Sequence, residues 1–366
     1  MNLVKKIFII LFFMLFIACN KQNDENNIEV LKYNSDILIA SEGQGYFLDN
    51  PKNIIKCNDF LYILDHSAPF IKIFNMGGKF IKSFGKKGKG PGEFLIPKII
   101  KSYNDSLLYI YDWKRKSVIV YNADGIYHKS YYFNNKIKNM EIFKTDQIIY
   151  SVKIMNNIRK NEASDYKIFL YKKGKNILLD SIKIKDKIWF EKRKLLMSFP
   201  FVNRKFFYIN NLGKLIIVDN GSFQFKIFNN IDLVSYNIKY YTDKKGPKIN
   251  NRDKEEYFKT RIIVDPNGNR TTKLSPDIKN SIKFPKYKPR IASVLCDLKQ
   301  NAWVKLNSKI EKYDKYKIFK DDGNYIKTVV IKKGLLKNPL IFNENYFLQK
   351  DLIDGLPVIK KYFRVR

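Results

Sequence analysis

Past its first thirty residues the chain sets its apolar residues in short runs, each closed by a turn former. Leu61-Tyr62-Ile63-Leu64 stops at Asp65, and Ile71-Lys72-Ile73-Phe74 stops at Asn75. Ile, Val, Tyr and Phe dominate these runs, as they do in strands. Ile71 and Ile73 alternate with Lys72, which is strand periodicity. Asp124-Gly125 and Asp322-Gly323 supply tight turns between runs. No 3.6-residue period is sustained beyond the N-terminal segment, so the pattern predicts an all-β chain of short antiparallel strands.

The runs repeat. Leu61-Tyr62-Ile63-Leu64-Asp65 returns 47 residues later as Leu108-Tyr109-Ile110-Tyr111-Asp112. Ile71-Lys72-Ile73-Phe74-Asn75 returns as Val118-Ile119-Val120-Tyr121-Asn122, and Gly78 as Gly125, at the same offset. A further copy contains Leu215-Ile216-Ile217-Val218-Asp219 and Phe225-Lys226-Ile227-Phe228. Between them lies a weaker one, Gln147-Ile148-Ile149-Tyr150 followed by Lys167-Ile168-Phe169-Leu170-Tyr171. A fifth runs from Ala302-Trp303-Val304 through Tyr316-Lys317-Ile318-Phe319. A sixth, shorter one holds Tyr346-Phe347-Leu348 and Val358-Ile359-Lys360. Repeats of roughly 40 to 50 residues with about four strands each suit propeller blades, which stack because a lone blade cannot cover both its faces. The expected fold is therefore all-β, a six-bladed β-propeller of four-stranded antiparallel blades over residues 36–366.

The sixth copy lacks an outer strand. Asp36-Ile37-Leu38-Ile39-Ala40, ahead of the first copy, is a free strand that can pair there and close the ring, removing two exposed edges. Residues 241–289 read as an insertion between the fourth and fifth copies, with a hairpin around Asp265-Pro266-Asn267-Gly268. The alternative is a seventh blade.

The N-terminus carries a separate message. Lys5 and Lys6 precede an apolar run, Ile7–Ile17, that is too short to cross about 30 Å of hydrocarbon as a helix. It fits the hydrophobic region of a secretory signal. The run ends at Ala18-Cys19, and polar Asn20, Lys21, Gln22, Asn23 and Asp24 follow. Leu15-Phe16-Ile17-Ala18-Cys19 resembles a bacterial lipobox, with bulkier Phe16 and Ile17 than usual. The resemblance implies a lipoprotein signal peptide over 1–18, acylation of Cys19, and a lipidated, flexible tether over 19–35. An ordinary signal peptide with an incidental cysteine is the alternative.

The run Phe84-Gly85-Lys86-Lys87-Gly88-Lys89-Gly90-Pro91-Gly92-Glu93-Phe94-Leu95-Ile96-Pro97 is similar to the linker of NHL-type repeats. With the lipobox it makes the chain resemble the six-bladed β-propeller lipoproteins of Bacteroidota. That resemblance implies the fold, export and a membrane anchor, and little about biochemical role. The glycines could suggest a phosphate loop, but a helix start must follow such a loop and Phe94-Leu95-Ile96 reads as strand. A crossover between blades, with Phe94 plugged between them, is expected instead.

Composition narrows the chemistry. Two histidines in 366 residues exclude a multi-His metal centre and disfavour a Ser-His-Asp enzyme. His66 and His128 are expected on the surface, and Cys57 and Cys296 as free thiols on the inner strands of blades one and five. Asp65, Asp112 and Asp219 share one repeat position, expected to cap turns. No cofactor or metal is expected. The formal charge of +34 invites a nucleic-acid reading. The lysines are spread over every copy, however, and export separates the chain from cellular RNA. An anionic membrane surface, an envelope protein or an anionic glycan is the expected partner.

The loop after each blade's second strand and the crossover between blades should open on one face. His66, Trp113, Arg115, Lys86 and Lys89 are the candidate ligand residues there, with Trp113 beside Arg115 as an aromatic platform next to a planar cation. The expected function is an exported binding or scaffolding module. The alternatives are a lyase or hydrolase with its site at the channel mouth, and an NHL-like nucleic-acid-binding propeller.

Overall fold

The computed structural model describes residues 28–365 apart from 158–159, 161, 186, 191–194, 199, 210–212, 229–235, 241–244, 260–262, 265–269, 272–273, 308–311, 321 and 337–340. The repeats fold into successive antiparallel sheets. Blade one is Asn53–Cys57, Phe60–Leu64, Ile71–Asn75 and Phe80–Phe84. Blade two spans Pro97–Tyr103 to Tyr127–Tyr132, and blade three Ile137–Lys144 to Lys175–Ile184. Blade four runs from Lys205–Ile209 to Tyr236–Tyr240, and blade five from Ile291–Cys296 to Tyr325–Lys332. Blade six brings Ile341–Phe342, Tyr346–Ile353 and Leu356–Arg364 from the C-terminus.

Two N-terminal strands complete the ring. Strand β1 (Ile28–Leu31) adds parallel to Tyr325–Lys332 and gives blade five a fifth strand. Strand β2 (Tyr33–Ile39) pairs antiparallel with Leu356–Arg364, with Tyr33 opposite Arg364 and Ile39 opposite Ile359. Blade six thus gains the outer strand that its own repeat lacks. The tether expected over 19–35 is corrected from Ile28 onward, because those residues are sheet. Ile28 and Val30 alternate with Glu29, a strand pattern too short to stand out beside a polar leader. Residues 1–27, with the expected signal peptide and Cys19, lie outside the described residues.

The core is divided among the contacts between neighbouring blades. Leu64, Ile71, Leu108 and Ile119 fill the space between blades one and two. Tyr111, Val118, Met140 and Ile148 fill the next, and equivalent clusters join three to four, four to five and five to six. Ile39, Ile54, Leu61 and Leu348 join six back to one, so the ring is closed by packing as well as by pairing. Both faces of a blade are therefore covered. This changes the meaning of the alternation at Ile71-Lys72-Ile73. Lys72 does not mark a solvent side; it is 3% exposed and bonded to Asp65, which is fully buried, at 2.9 Å.

Glycine position matters where backbones meet. Gly78 has φ of 84°, and a side chain there would strike the backbone carbonyl of Leu38 on β2. The turn of blade one is thus held against the closing strand.

Between blades four and five lie helix α1 (Asn251–Lys259), a hairpin of Ile263–Val264 with Arg270–Thr271, and helix α2 (Pro276–Ser281). Asn250 and Asp253 cap α1 reciprocally: the Asp253 N–H donates to Asn250 Oδ1, and the Asn250 N–H to Asp253 Oδ2. Tyr257, Leu274, Ile278 and Ile282 form a small core of their own. The helix carries no 3.6-residue apolar stripe, because its nine residues hold only one apolar pair, Tyr257-Phe258. A second two-stranded hairpin, Lys187–Phe190 with Leu195–Ser198, separates blades three and four.

Candidate functional site

Within each blade the first strand starts where the second ends. Asn53 pairs with Leu64, Pro97 with Asp112, and Lys205 with Asp219. The loops after the second strands and the crossovers into the first strands therefore share one face, as the repeat reading expects.

Aspartates stitch this face together. Asp112 accepts from the N–H groups of Lys114 and Arg115 in its own turn, and from those of Leu95 and Ile96 in the incoming crossover, at 2.6 to 2.9 Å. Asp65 accepts from Asp49, Asn50 and His66 N–H groups and from Lys72 Nζ. Burial pushes the Asp65 carboxyl up, but the Lys72 bond and the two backbone donors outweigh it, and its pKa falls below the usual range. In blade four the task is split. Asp219 caps Gly221 and Ser222, while Asn220 Oδ1 accepts from the Arg204 N–H at 2.6 Å.

The glycine-rich run is a crossover. Its cradle is filled from within: Glu93 Oε2 accepts from the Gly90 N–H at 2.8 Å, and a Cβ on Gly88 would overlap the same carboxylate. Phe94 is fully buried and stacks on Tyr121. Arg115 donates through Nη1 to the carbonyls of Gly90, at 2.9 Å, and Glu93. Its guanidinium thus holds the crossover in place. Trp113 packs against the core of blades two and three, with Lys136 Nζ 3.5 Å and Lys98 Nζ 4.9 Å from its ring. Lys86 and Lys89 are exposed on the same crossover. His66 is exposed and pairs with Asp49 at 3.1 Å, and among the described residues nothing bonds it to Trp113. Arg115 thus grips the crossover from blade one while the Trp113 ring packs toward blade three, and His66 stands apart on blade one.

A cavity of about 560 Å3 opens between the inner strands and runs into the cleft between blades three and four. Its lining includes Lys101, Lys138, Lys167, Arg204 and Lys205 against a single carboxylate, Glu141. Lys101 holds Glu141 at 2.6 Å, and Lys205 holds Asp180 at 2.8 Å. Lys138, Lys167 and Arg204 have no carboxylate partner among the described residues. Tyr166 and Phe206 give the cavity a flat apolar wall. Lys138 and Arg204 sit at the starts of the inner strands, hence toward the face that carries Trp113 and Arg115. None of these residues is conspicuous in sequence, because an inner-strand lysine looks like any other lysine in a chain with 69 basic residues.

The thiols are quiet. Cys57 and Cys296 are both free. Burial, then Asp105, pushes the Cys57 thiol up to about 11. Burial, then Glu141, pushes the Cys296 thiol up as well, at the end of the cavity. Among the described residues no group of three or more His, Cys, Asp or Glu gathers as metal ligands would.

The fold and its face-forming loops define a class, the six-bladed β-propellers built from four-stranded blades. Residues 44–268 match the model of the DUF5128 family, described as a 6-bladed beta-propeller, and the chain belongs to that family. No curated protein matches it in sequence. Among solved structures it is similar to a Bacteroides fragilis protein held to be exported, at 12% identity and a TM-score of 0.53, covering 91% of this chain and 96% of that one. A DUF4221 family member from Bacteroides vulgatus gives 11% identity and a TM-score of 0.53, covering 94% of this chain and 100% of that one.

Proposed function

We propose that the protein is an exported lipoprotein of the cell envelope whose propeller binds a small anionic ligand, a uronate or sulfate sugar in chemical class. The observation that carries this reading is the convergence of Lys138, Lys167 and Arg204 on one cavity without acidic partners. A cavity of this volume suits a disaccharide-sized ligand, and a guanidinium can grip a carboxylate or sulfate through two parallel bonds. A lyase or hydrolase needs an acid and a base meeting at the site. Among the described lining residues the one carboxylate, Glu141, is engaged by Lys101, which favours binding over turnover. A nucleic-acid reading needs a continuous basic groove, and the basic residues here gather at one local cavity between blades.

Calorimetric titration with uronate and sulfated disaccharides at low salt tests this. Lys138→Glu with Arg204→Glu should weaken the tightest of them by about a hundredfold, two charge-assisted contacts at about 1.5 kcal/mol each. If none binds, or the double variant binds like the parent, the cavity is not the site.

Export and anchoring rest on Lys5-Lys6, the Ile7–Ile17 run and Ala18-Cys19. Two or three acyl chains, at about 0.8 kcal/mol per buried CH₂, hold a protein firmly. Cys19→Ala should abolish metabolic palmitate labelling and release the protein from membranes; labelling that survives rules out this anchor.

A further inference from the structure

We propose that the outer edge of the ring where blades five and six meet docks onto an anionic phospholipid surface. This inference rests on the envelope reading and adds an orientation to it. The chain enters the ring at β1, so residues 1–27, with Cys19 and the apolar run, lead directly to this edge. Nine residues from Cys19 to Ile28 reach at most about 30 Å when fully extended. An anchor at Cys19 therefore keeps this edge, rather than the opposite side of the ring, close to the bilayer.

The edge has the chemistry of such a surface. A cavity of about 760 Å3 lies in it, lined by Val30, Lys32, Lys312, Tyr313, Lys332 and Lys333 among others. All four lysines are exposed, and none has a carboxylate partner among the described residues. Of the neighbouring acids, Asp36 on β2 is exposed, and the others are engaged. Glu29 and Glu344 are shared between Lys327 and Arg364, and Asp314 is held by Lys305 at 2.8 Å. What faces outward is net positive. Ile28 (42% exposed), Val30 (48%) and Tyr313 (36%) add apolar side chains between the charges. Cations attract the anionic headgroup layer, and a tyrosine suits the boundary between headgroup and acyl chain.

The test separates the edge from the anchor by leaving the anchor out. Every described strand lies between Ile28 and Arg364, so a chain starting at Asn20 retains the whole ring. Sedimentation of this unacylated chain with vesicles of phosphatidylglycerol and phosphatidylcholine, against phosphatidylcholine alone, reads the edge by itself. We expect binding to the anionic vesicles only, weakened by salt. Lys312→Glu with Lys333→Glu should lower it at least about tenfold, since each lysine near such a surface is worth about fivefold. Lys175→Glu with Lys183→Glu, on the outer strand of blade three, makes the same change in net charge and should lower it less than about twofold, as screening limits distant charges. Unchanged thermal melting of both variants excludes misfolding. Equal binding to both vesicle types, equal loss in both variants, or loss of self-association in place of vesicle binding overturns the proposal. Palmitate labelling of Cys19 reports on the anchor whatever the vesicles show.

Discussion

Arg364, at the end of the last strand, forms an ion pair with Glu29 in the first. Lys327 bonds Glu29 at 2.8 Å and Glu344 at 2.9 Å, and Arg364 also bonds Glu344 at 2.6 Å. Four charges thus knot β1, the outer strand of blade five and the hairpin of blade six. Lys327, then Arg364, holds the Glu29 carboxyl below its usual range against a modest cost of burial. These groups are about a third exposed, so the knot guides register more than it supplies stability.

Closure itself should be costly to undo. β2 supplies the outer strand of blade six, and Leu31 and Ile39 are buried at the seams beside it. Burial of each contributes about 2 kcal/mol. A chain beginning at Ala40 should melt lower by at least about 5 °C, taking 2–4 °C per kcal/mol, and should aggregate through the open edge. Scanning calorimetry and light scattering check this, and parental melting would refute closure by β2.

Asp65 and Lys72 form a buried pair. Asp65→Asn leaves the Lys72 charge unpaired and should cost about 3–5 kcal/mol in urea unfolding, while Asp65→Asn with Lys72→Met should cost less. The pH dependence has a definite sign. The Asp65 pKa is lowered in the fold, so its contribution is present above the ordinary carboxylate range and is lost as pH falls through the folded value. Stability of the parent should therefore drop more steeply below about pH 4 than that of Asp65→Asn.

Phe94 anchors the glycine-rich crossover between blades one and two. Phe94→Ala should destabilise by about 3–5 kcal/mol, the cost of an aromatic-sized hole. Arg115→Ala should cost about 1–3 kcal/mol by taking the side-chain donor from the Glu93 carbonyl and leaving the Gly90 carbonyl with only the Glu93 N–H. Limited proteolysis should then cut first between Lys86 and Lys89.

The thiols offer a readout without mutation. With its pKa pushed up to about 11, Cys57 is almost entirely protonated at neutral pH. In a chain starting at Asn20, iodoacetamide should not label Cys57, which is buried, at pH 7.5 until denaturant is added, whereas Cys296, half-buried at the cavity, should react slowly. Fast labelling of the folded protein would contradict the burial described.

Local order along the chain determined much of this. The recurrence of Leu61–Asp65 at Leu108–Asp112 and Leu215–Asp219 sets strand, turn and blade, because hydrogen bonding between adjacent strands needs only nearby residues. The missing outer strand of the last repeat and the free strand near Ile37 likewise implied closure, since an unpaired edge demands a partner. What needed tertiary structure was the fate of individual polar side chains. Lys72 alternates like a solvent-facing residue yet is buried, because a blade is covered on both faces. Arg115 looks like a free cation, but the fold carries the Gly90 and Glu93 carbonyls to it. Lys138 and Arg204 resemble any surface lysine or arginine until the ring brings blades three and four together. Electrostatic roles depend on partners distant in sequence, and only closure of the ring decides which charges are neutralised and which remain open to a ligand.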